Sequence, residues 1–551
     1  MLTIYCQNNQ SKKEIEYGTT LAEFAKDEEI KLEYPLLGAL VNNKVRDISY
    51  KLSKPAIISF FDMTSTYGSD MYKRSVYFLL SNAVCDIYPG AKLKVSHSIS
   101  GGKYCELEDL PEPLTQEVVD RIHCRMQELI KQDLPFERKE MLTPDALNEF
   151  AKHGLTKKVE LLKDRKRIFT SVYKLDNHIN YFYGFLIPST GYIKLYNLEL
   201  YETGLLLKLP SKRHPTQIAG TRKLPKLFAV YQTHKKWVQK IGVPYVSDLN
   251  EKITNNEIED FIKISEAFHE KLIAGIADEI NKRENIRLIL LSGPSSSGKT
   301  TTCKRLSVQL GVLGYKTVQV SVDDFFVERE ETPKDAEGNY NFESLDAIDL
   351  PLFNKTIKLL LEGNEVELPT FNFTLGKKEW KGKKIKLSEN AILVIEGIHC
   401  LNPKLTEQVD NSVKYKIFVS ALTSISIDAQ NPIPTTDNRL IRRITRDYRF
   451  RGYSALDTLR RWQSVRDGEA CNIFPFQENA DVMFNTSLIC ELGVLKLYAV
   501  PILNEVPETE VEYAEATRLL KFLSYFRTIP EKSIPGGSIL REFVGGSNFH
   551  Y

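Results

Sequence analysis

The sequence has no CxxC pair and no zinc-finger spacing. Its eight cysteines (Cys6, Cys85, Cys105, Cys124, Cys303, Cys400, Cys471 and Cys490) are scattered along 551 residues. That spread excludes a disulfide framework and a cysteine-based zinc site, and it leaves reduced thiols. No window approaches the roughly 18 uninterrupted apolar residues of a membrane span. The start, MLTIYCQNNQSKKE, has no basic stretch leading into a long apolar run, so the expectation is a cytoplasmic protein with no membrane partner. Charge of one sign is lacking as well: Lys+Arg 74 against Asp+Glu 72 leaves a formal net charge of +2. No global field draws the chain to nucleic acid or anionic lipid, and any such binding must be local. Internal repeats and low-complexity tracts are absent by inspection. What remains is an ordinary globular composition, 42% hydrophobic and 26% charged. At roughly 150 residues per domain, the length allows about three to four domains.

Patterning divides the chain into five stretches. Residues 1–62 carry the alternation Leu2, Ile4, Cys6, a helix start at Gly18-Thr19-Thr20 before LAEFA, and strand candidates GALVN and AIISFFD with a turn at Asn42-Asn43. This predicts a small α+β module. Residues 63–215 place two helical stretches (RSVYFLLSNAVCDIYP and PLTQEVVDRIHCRMQELIKQ) before strand-like YFYGFLI, YIKLYNLELY and GLLLKLP, as in helices covering an antiparallel sheet. Residues 216–284 read as a linker ending in an amphipathic helix, with Ile258, Phe261, Ile262, Phe268, Leu272, Ile276 and Ile280 at spacings of three and four. From 285 to 490, near-continuous apolar strands (IRLILLSG, KTVQVSV, AILVIEG, KYKIFVS) alternate with helices. That pattern predicts an α/β domain whose parallel sheet is covered on both faces. Residues 491–551 form a helical extension and a tail ending in GGS, which reads as a flexible turn without chemistry.

One loop carries specific chemistry. Gly293-Pro294-Ser295-Ser296-Ser297-Gly298-Lys299-Thr300 fits the spacing GxxxxGK followed by Ser or Thr, after an apolar strand and before a helix. Such a loop turns backbone N–H groups toward phosphate, places a lysine charge on the β- and γ-oxygens, and offers a hydroxyl to Mg²⁺. Nucleotide binding is therefore expected at Gly293 to Thr301, with ATP as donor, and Thr300 as a metal ligand. The next strand ends in Val322-Asp323-Asp324-Phe325-Phe326. Its carboxylate stands at the carboxyl end of a parallel strand, where α/β ligands bind, so Asp323 is the candidate base for an acceptor hydroxyl. Glu396 closes the buried strand ILVIE and is the candidate Mg²⁺ carboxylate. Residues 437–470 then hold nine arginines and no lysine: Arg439, Arg442, Arg443, Arg446, Arg449, Arg451, Arg460, Arg461 and Arg466. Planar guanidinium forks suit phosphate oxygens, and two or more are expected to meet phosphate.

At these residues, 285–490 resembles the uridine kinase and phosphoribulokinase family of P-loop kinases. GPSSSGKT is similar to its nucleotide loop, VDDFF to its base-bearing strand end, and VIEGI to its magnesium strand. Asn341-Phe342-Glu343-Ser344-Leu345-Asp346-Ala347-Ile348-Asp349 resembles its ribose-gripping segment, and Arg443-Ile444-Thr445-Arg446-Asp447 with Arg451-Gly452 its lid. The resemblance implies a nucleoside kinase. Asp323, Lys299 and Arg446 would be catalytic, and Glu343, Phe371, Arg443 and Arg451 would hold the substrate. Phe371 stands where uridine kinases carry a tyrosine, and Gly376 stands near their histidine. The base-edge hydrogen bonds are lost there, and a site without them discriminates bases weakly.

The N-terminal half resembles threonyl-tRNA synthetase, with a TGS-like domain at 1–62 and an editing-like domain at 63–215. The resemblance rests on GTTL, GALVN, YKRSVYFLLSNAVCDIYPG and IPSTGYIKLYNLELYETG. The editing positions read Arg74, Phe78, Phe182 and Leu186, so hydrolytic editing does not carry over. His97, His123 and His178 are then structural or surface histidines. The half is left as a scaffold or a site for RNA, a protein partner or a regulatory ligand, in a chain expected to form a homo-oligomer. Two other readings stand beside the nucleoside kinase. One is a kinase of another small hydroxylated metabolite. The other is an RNA-binding or regulatory ATPase led by the N-terminal half.

Overall fold

The structure is a computed structural model that describes residues 1–334, 338, 340–372 and 375–550. The first module is a five-stranded mixed sheet in the order Ser11–Ile15, Leu2–Cys6, Ala56–Phe61, Gly38–Val41, Lys44–Asp47. Ile4 and Cys6 of the alternating strand are fully buried. Thr20 caps the helix Leu21–Asp27 in a reciprocal pair with Glu23, which satisfies two otherwise orphaned donors. Asn42 and Asn43 take φ of 48° and 53° in a two-residue hairpin, the geometry that asparagine tolerates.

In the second module, the helices Thr66–Ile87 and Gln116–Lys131 accompany a four-stranded antiparallel sheet, and a three-stranded sheet stands apart from it. The run YFYGFLI is not a strand. Side chains take its carbonyls instead of a ladder: Arg74 Nε donates to the Phe185 carbonyl (3.1 Å), Tyr173 to that of Gly184 (3.3 Å) and Asn431 to that of Tyr181 (3.0 Å). An apolar run alone does not separate a strand from a buried irregular segment. The stretch 216–284 holds three helices, Pro225–Lys240, Val246–Thr254 and Ile258–Asn281. On the last of them Ile258, Phe261, Ile262, Ile276 and Ile280 are buried as spaced, while Phe268 stacks on Trp237 with centroids 4.2 Å apart.

The third body contains β1 (Leu288–Ser292), α1 (Lys299–Val312), β2 (Lys316–Ser321), β3 (Ala391–Glu396), β4 (Lys414–Ser420), α2 (Thr435–Arg451), α3 (Ala455–Asn472) and β5 (Val482–Asn485). Its strands run in the order β2-β3-β1-β4-β5, all parallel. β1 is buried at every residue, as a sheet covered on both faces requires. The helices α4 (Glu491–Asn504) and α5 (Tyr513–Leu523) complete this body, with α4 packed on both α2 and α5. The tail is not a loose turn: Ile539, Leu540, Phe543 and Val544 have no exposed surface and lie in the same core cluster as β1. Glycines in the tail signal left-handed backbone, with φ of 81° at Gly545 and 70° at Gly546, and the apolar residues before them supply the anchor. No helix among the described residues is long and apolar enough to cross a membrane.

Candidate active site

The phosphate loop joins β1 to α1 at the carboxyl edge of the sheet. Gly293 lies so close to β4 that a Cβ would stand 2.1 Å from the Val419 carbonyl oxygen. Ser296 and Gly298 take left-handed φ of 57° and 82°, which winds the loop back on itself. Lys299 Nζ folds over it and donates to the carbonyls of Gly293 (3.1 Å) and Pro294 (3.2 Å). Among the described residues, the hydroxyls of Ser296 and Ser297 are buried without a hydrogen-bond partner, and buried polar groups of that kind ask for a ligand. Thr300 Oγ1, on the first turn of α1, donates to Glu396 at the end of β3 (2.8 and 3.1 Å). A hydroxyl beside a carboxylate is the hard-oxygen donor set that suits Mg²⁺, which binds proteins through one or two carboxylates and takes its other ligands from phosphate and water.

Three more carboxylates lie near this edge. Asp323 follows β2, its backbone N–H bonded to Ser321 Oγ (3.3 Å). The residue is exposed, yet the surrounding protein desolvates it and raises its pKa, while Lys299 and Arg451 pull it back. Asp324 turns the other way and meets the Phe371 N–H at 3.5 Å. Burial raises it too, and the Asp323 charge adds to the effect. Glu343 is pushed up to about 7, first by burial and then by Glu469, against the pull of Arg443 and Lys299. Glu396 also rises to about 7 through burial, opposed by Lys299 and Thr300. Lys299, Asp323, Glu343 and Glu396 are thus within electrostatic reach of one another. Perturbed carboxylates gathered in a cleft mark functional sites more often than structural ones.

The arginine helix sorts into two groups that the sequence did not separate. Arg439 and Arg442 are buried braces. Arg439 pairs with Glu469 (2.7 Å) and donates to the Ser295 carbonyl (3.1 Å). Glu469 also accepts the Ser295 N–H (2.9 Å). Arg442 pairs with Glu491 (2.7 Å) and reaches the Thr486 carbonyl (2.9 Å), while Thr486 Oγ1 donates to the Ser297 carbonyl (2.6 Å). Both arginines therefore hold the outer side of the loop. Arg443, Arg446 and Arg451 converge instead on the buried Asp447, at 3.2, 2.8 and 3.6 Å, and Arg443 also donates to Ser295 Oγ (2.8 Å). Burial lowers the pKa of Arg443 and of Arg451. Glu469, Glu491 and Asp447 were not singled out from the sequence. Acids interleaved in an arginine-rich helix also fit a solvated face, and Glu491 lies outside that window.

Phe371 is 5% exposed and packs against Phe326, with ring centroids 5.5 Å apart, so its ring belongs to the core. Gly376 has φ of 72°, and a Cβ there would meet Arg329 at 2.7 Å, which gives this position a local backbone reason to be glycine. Gly468 on α3 makes room for Glu343, whose Cβ would stand 2.4 Å from an added Cβ.

In the second module, the degenerate positions form packed core. Phe78, Phe182 and Leu186 are 1%, 1% and 3% exposed, and Phe78 lies 5.6 Å from Phe182 between centroids. His97 stacks on Tyr231 at 3.5 Å, and His178 Nε2 pairs with Asp86 at 2.9 Å. Apolar side chains thus occupy three of the four positions, and at the fourth Arg74 Nε donates to the Phe185 carbonyl.

Residues 288–489 match the model of the Phosphoribulokinase / Uridine kinase family. That segment contains the phosphate loop, both strand-end carboxylates and the arginine helix. The N-terminal half matches threonine–tRNA ligases. The ligase of Desulforamulus reducens is 32% identical over 185 residues, 33% of this chain and 29% of the ligase. That of Carboxydothermus hydrogenoformans is 30% identical over 199 residues, 36% of this chain and 31% of the ligase. The match thus spans less than a third of either ligase. Among solved structures, a protein of Bacillus stearothermophilus described as a possible uridine kinase aligns at 17% identity and a TM-score of 0.25, covering 36% of this chain and 89% of its own. D-glycerate 3-kinase of Cryptococcus neoformans aligns at 10% identity and 0.21, covering 46% and 87%.

Proposed function

We propose that this protein is an ATP-dependent phosphotransferase that moves the γ-phosphoryl group to the 5'-hydroxyl of a nucleoside, uridine or cytidine first. The observation that carries the reading is the Thr300–Glu396 pair at the mouth of the phosphate loop, with Asp323 and Glu343 within electrostatic reach of the same lysine. The loop amides and Lys299 bind the triphosphate, for which Lys299 exchanges its present carbonyl partners. Thr300 and Glu396 would hold Mg²⁺, which when bound neutralises charge on the phosphate oxygens. Asp323 orients the acceptor hydroxyl and takes its proton. Its raised pKa brings it closer to the range useful to a base. Glu343 fixes the sugar hydroxyls. Arg443, Arg446 and Arg451, gathered on Asp447, swing or tighten onto the moving phosphoryl, where fixed positive charge is worth most.

A second reading keeps the chemistry and changes the acceptor to another small hydroxylated metabolite, favoured by the buried Phe371 and by Gly376, neither of which supplies a polar contact to a base edge. A panel of nucleosides, sugar phosphates and other small polyols with labelled ATP separates the two. Transfer to uridine or cytidine supports the first reading. Transfer only to a non-nucleoside replaces it with the second, and transfer to none removes both.

A further inference from the structure

The buried tail brings a carboxylate to the phosphate loop. Glu542 accepts both the backbone N–H of Thr301 (3.2 Å) and its hydroxyl (2.6 Å), a donor pair on the first turn of α1 at the residue after Thr300. Amides and hydroxyls at that turn are the groups a phosphate loop offers to triphosphate oxygens. Two further contacts show that the tail is fitted to the loop. A Cβ at Gly298 would stand 2.7 Å from the Ile539 methyl. The Phe543 ring lies under the Arg442 guanidinium at 5.0 Å, the same arginine that braces the loop from its outer side. Arg541 fixes the segment by donating to Glu531 (2.6 Å) and to the carbonyl of Gly545 (3.2 Å). Phe543 and Val544 are fully buried, whereas Glu542 is only partly buried.

Resting on the kinase reading above, we infer that Glu542 is a competing ligand of the nucleotide site, displaced from Thr301 by a triphosphate oxygen, and that it sets the affinity for ATP. A carboxylate and a phosphate cannot share one donor pair without like-charge repulsion, so every bound nucleotide has to break two charge-assisted hydrogen bonds first. The tail thereby lowers the affinity of every anion that needs the Thr301 donors by the same factor.

Titration calorimetry of the full chain with MgATP tests this in four forms: wild type, Glu542→Gln, Glu542→Ala, and Lys299→Ala placed in the Glu542→Gln background. Glu542→Gln keeps size and one acceptor oxygen, so it is the variant least able to disturb folding. Both Glu542 variants are expected to bind ATP about tenfold more tightly, the scale of one charge-assisted hydrogen bond. The added Lys299→Ala is expected to abolish that gain. Unchanged or weaker binding in Glu542→Gln, with ATP binding itself lost when Lys299→Ala is added, overturns the competing-ligand role and leaves the nucleotide site standing. Failure of all four forms to bind ATP overturns the kinase reading and this inference with it.

Discussion

At the scale of single residues, the site is a set of carboxylates held away from their ordinary ionisation. Glu343 and Glu396 sit at about 7, against ordinary values near 4.5. Between those two pH values the folded chain binds protons that the unfolded chain releases, so stability falls as pH rises through that window. The urea midpoint of the ligand-free protein should drop more between pH 5 and pH 8 than that of the double variant Glu343→Gln with Glu396→Gln. Equal slopes would show that the two groups ionise normally. Holding Mg²⁺ requires the ionised form of Glu396, so affinity for MgATP should rise through about pH 7, and Glu396→Gln should flatten that profile. Lys299, Thr300, Asp323 and Glu396 were legible in the sequence because each stands at a fixed offset from a strand end. Glu469 and Asp447 were not. They matter through partners brought together by folding, such as Arg439, 30 residues from Glu469 in the chain.

At the scale of elements, α2 has two jobs on two faces. One face clamps the loop through Arg439 and Arg442. The other presents Arg443, Arg446 and, at its end, Arg451 beside Asp447. The run of nine arginines predicted phosphate contact for some of them, and spacing alone did not say which. Burial sets two of them apart as internal braces: Arg439 and Arg442 are 1% and 0% exposed. Glu469→Ala strands the Arg439 guanidinium without its carboxylate, and breaking a buried pair in this way costs about 3–5 kcal/mol. It also removes the acceptor of the Ser295 N–H. Chemical denaturation should register a loss of that size together with weaker ATP binding. A loss under about 1 kcal/mol, typical of a surface pair, would show that the clamp carries no weight. The strand–helix alternation of the kinase-like domain was readable from apolar runs and the phosphate motif. YFYGFLI was misread as a strand because its carbonyls are satisfied by Arg74, Tyr173 and Asn431, residues that no local pattern could nominate.

At the scale of the whole molecule, the synthetase-like and kinase-like halves are joined by buried polar links. Lys158 pairs with Asp428 at 2.7 Å, with side chains 3% and 1% exposed. Around it, the Val95 N–H donates to the Ala429 carbonyl (2.7 Å) and Gln430 to that of Leu93 (2.9 Å). Such an interface couples the halves in unfolding. Lys158→Ala leaves Asp428 buried without a counter-charge and should cost about 3–5 kcal/mol. Calorimetry of the wild type should show one main transition, splitting into two in the variant. A wild type that already melts in two steps would contradict the coupling. None of this was visible in the sequence, where Lys158 reads as one more charge on a short helix. The tail shows the limit of such reading, since its glycines suggested a mobile end and its buried Ile539, Leu540, Phe543 and Val544 make it part of the core.

The central claim is that a hydroxyl held at Asp323 attacks a triphosphate held at Lys299. Single-turnover phosphorylation of the acceptor identified by the panel, compared between wild type and Asp323→Asn, tests it most directly. The account predicts a rate loss of about 10²–10⁴, the contribution of a general base, with affinity for ATP retained. Turnover of Asp323→Asn within a few-fold of wild type would contradict it.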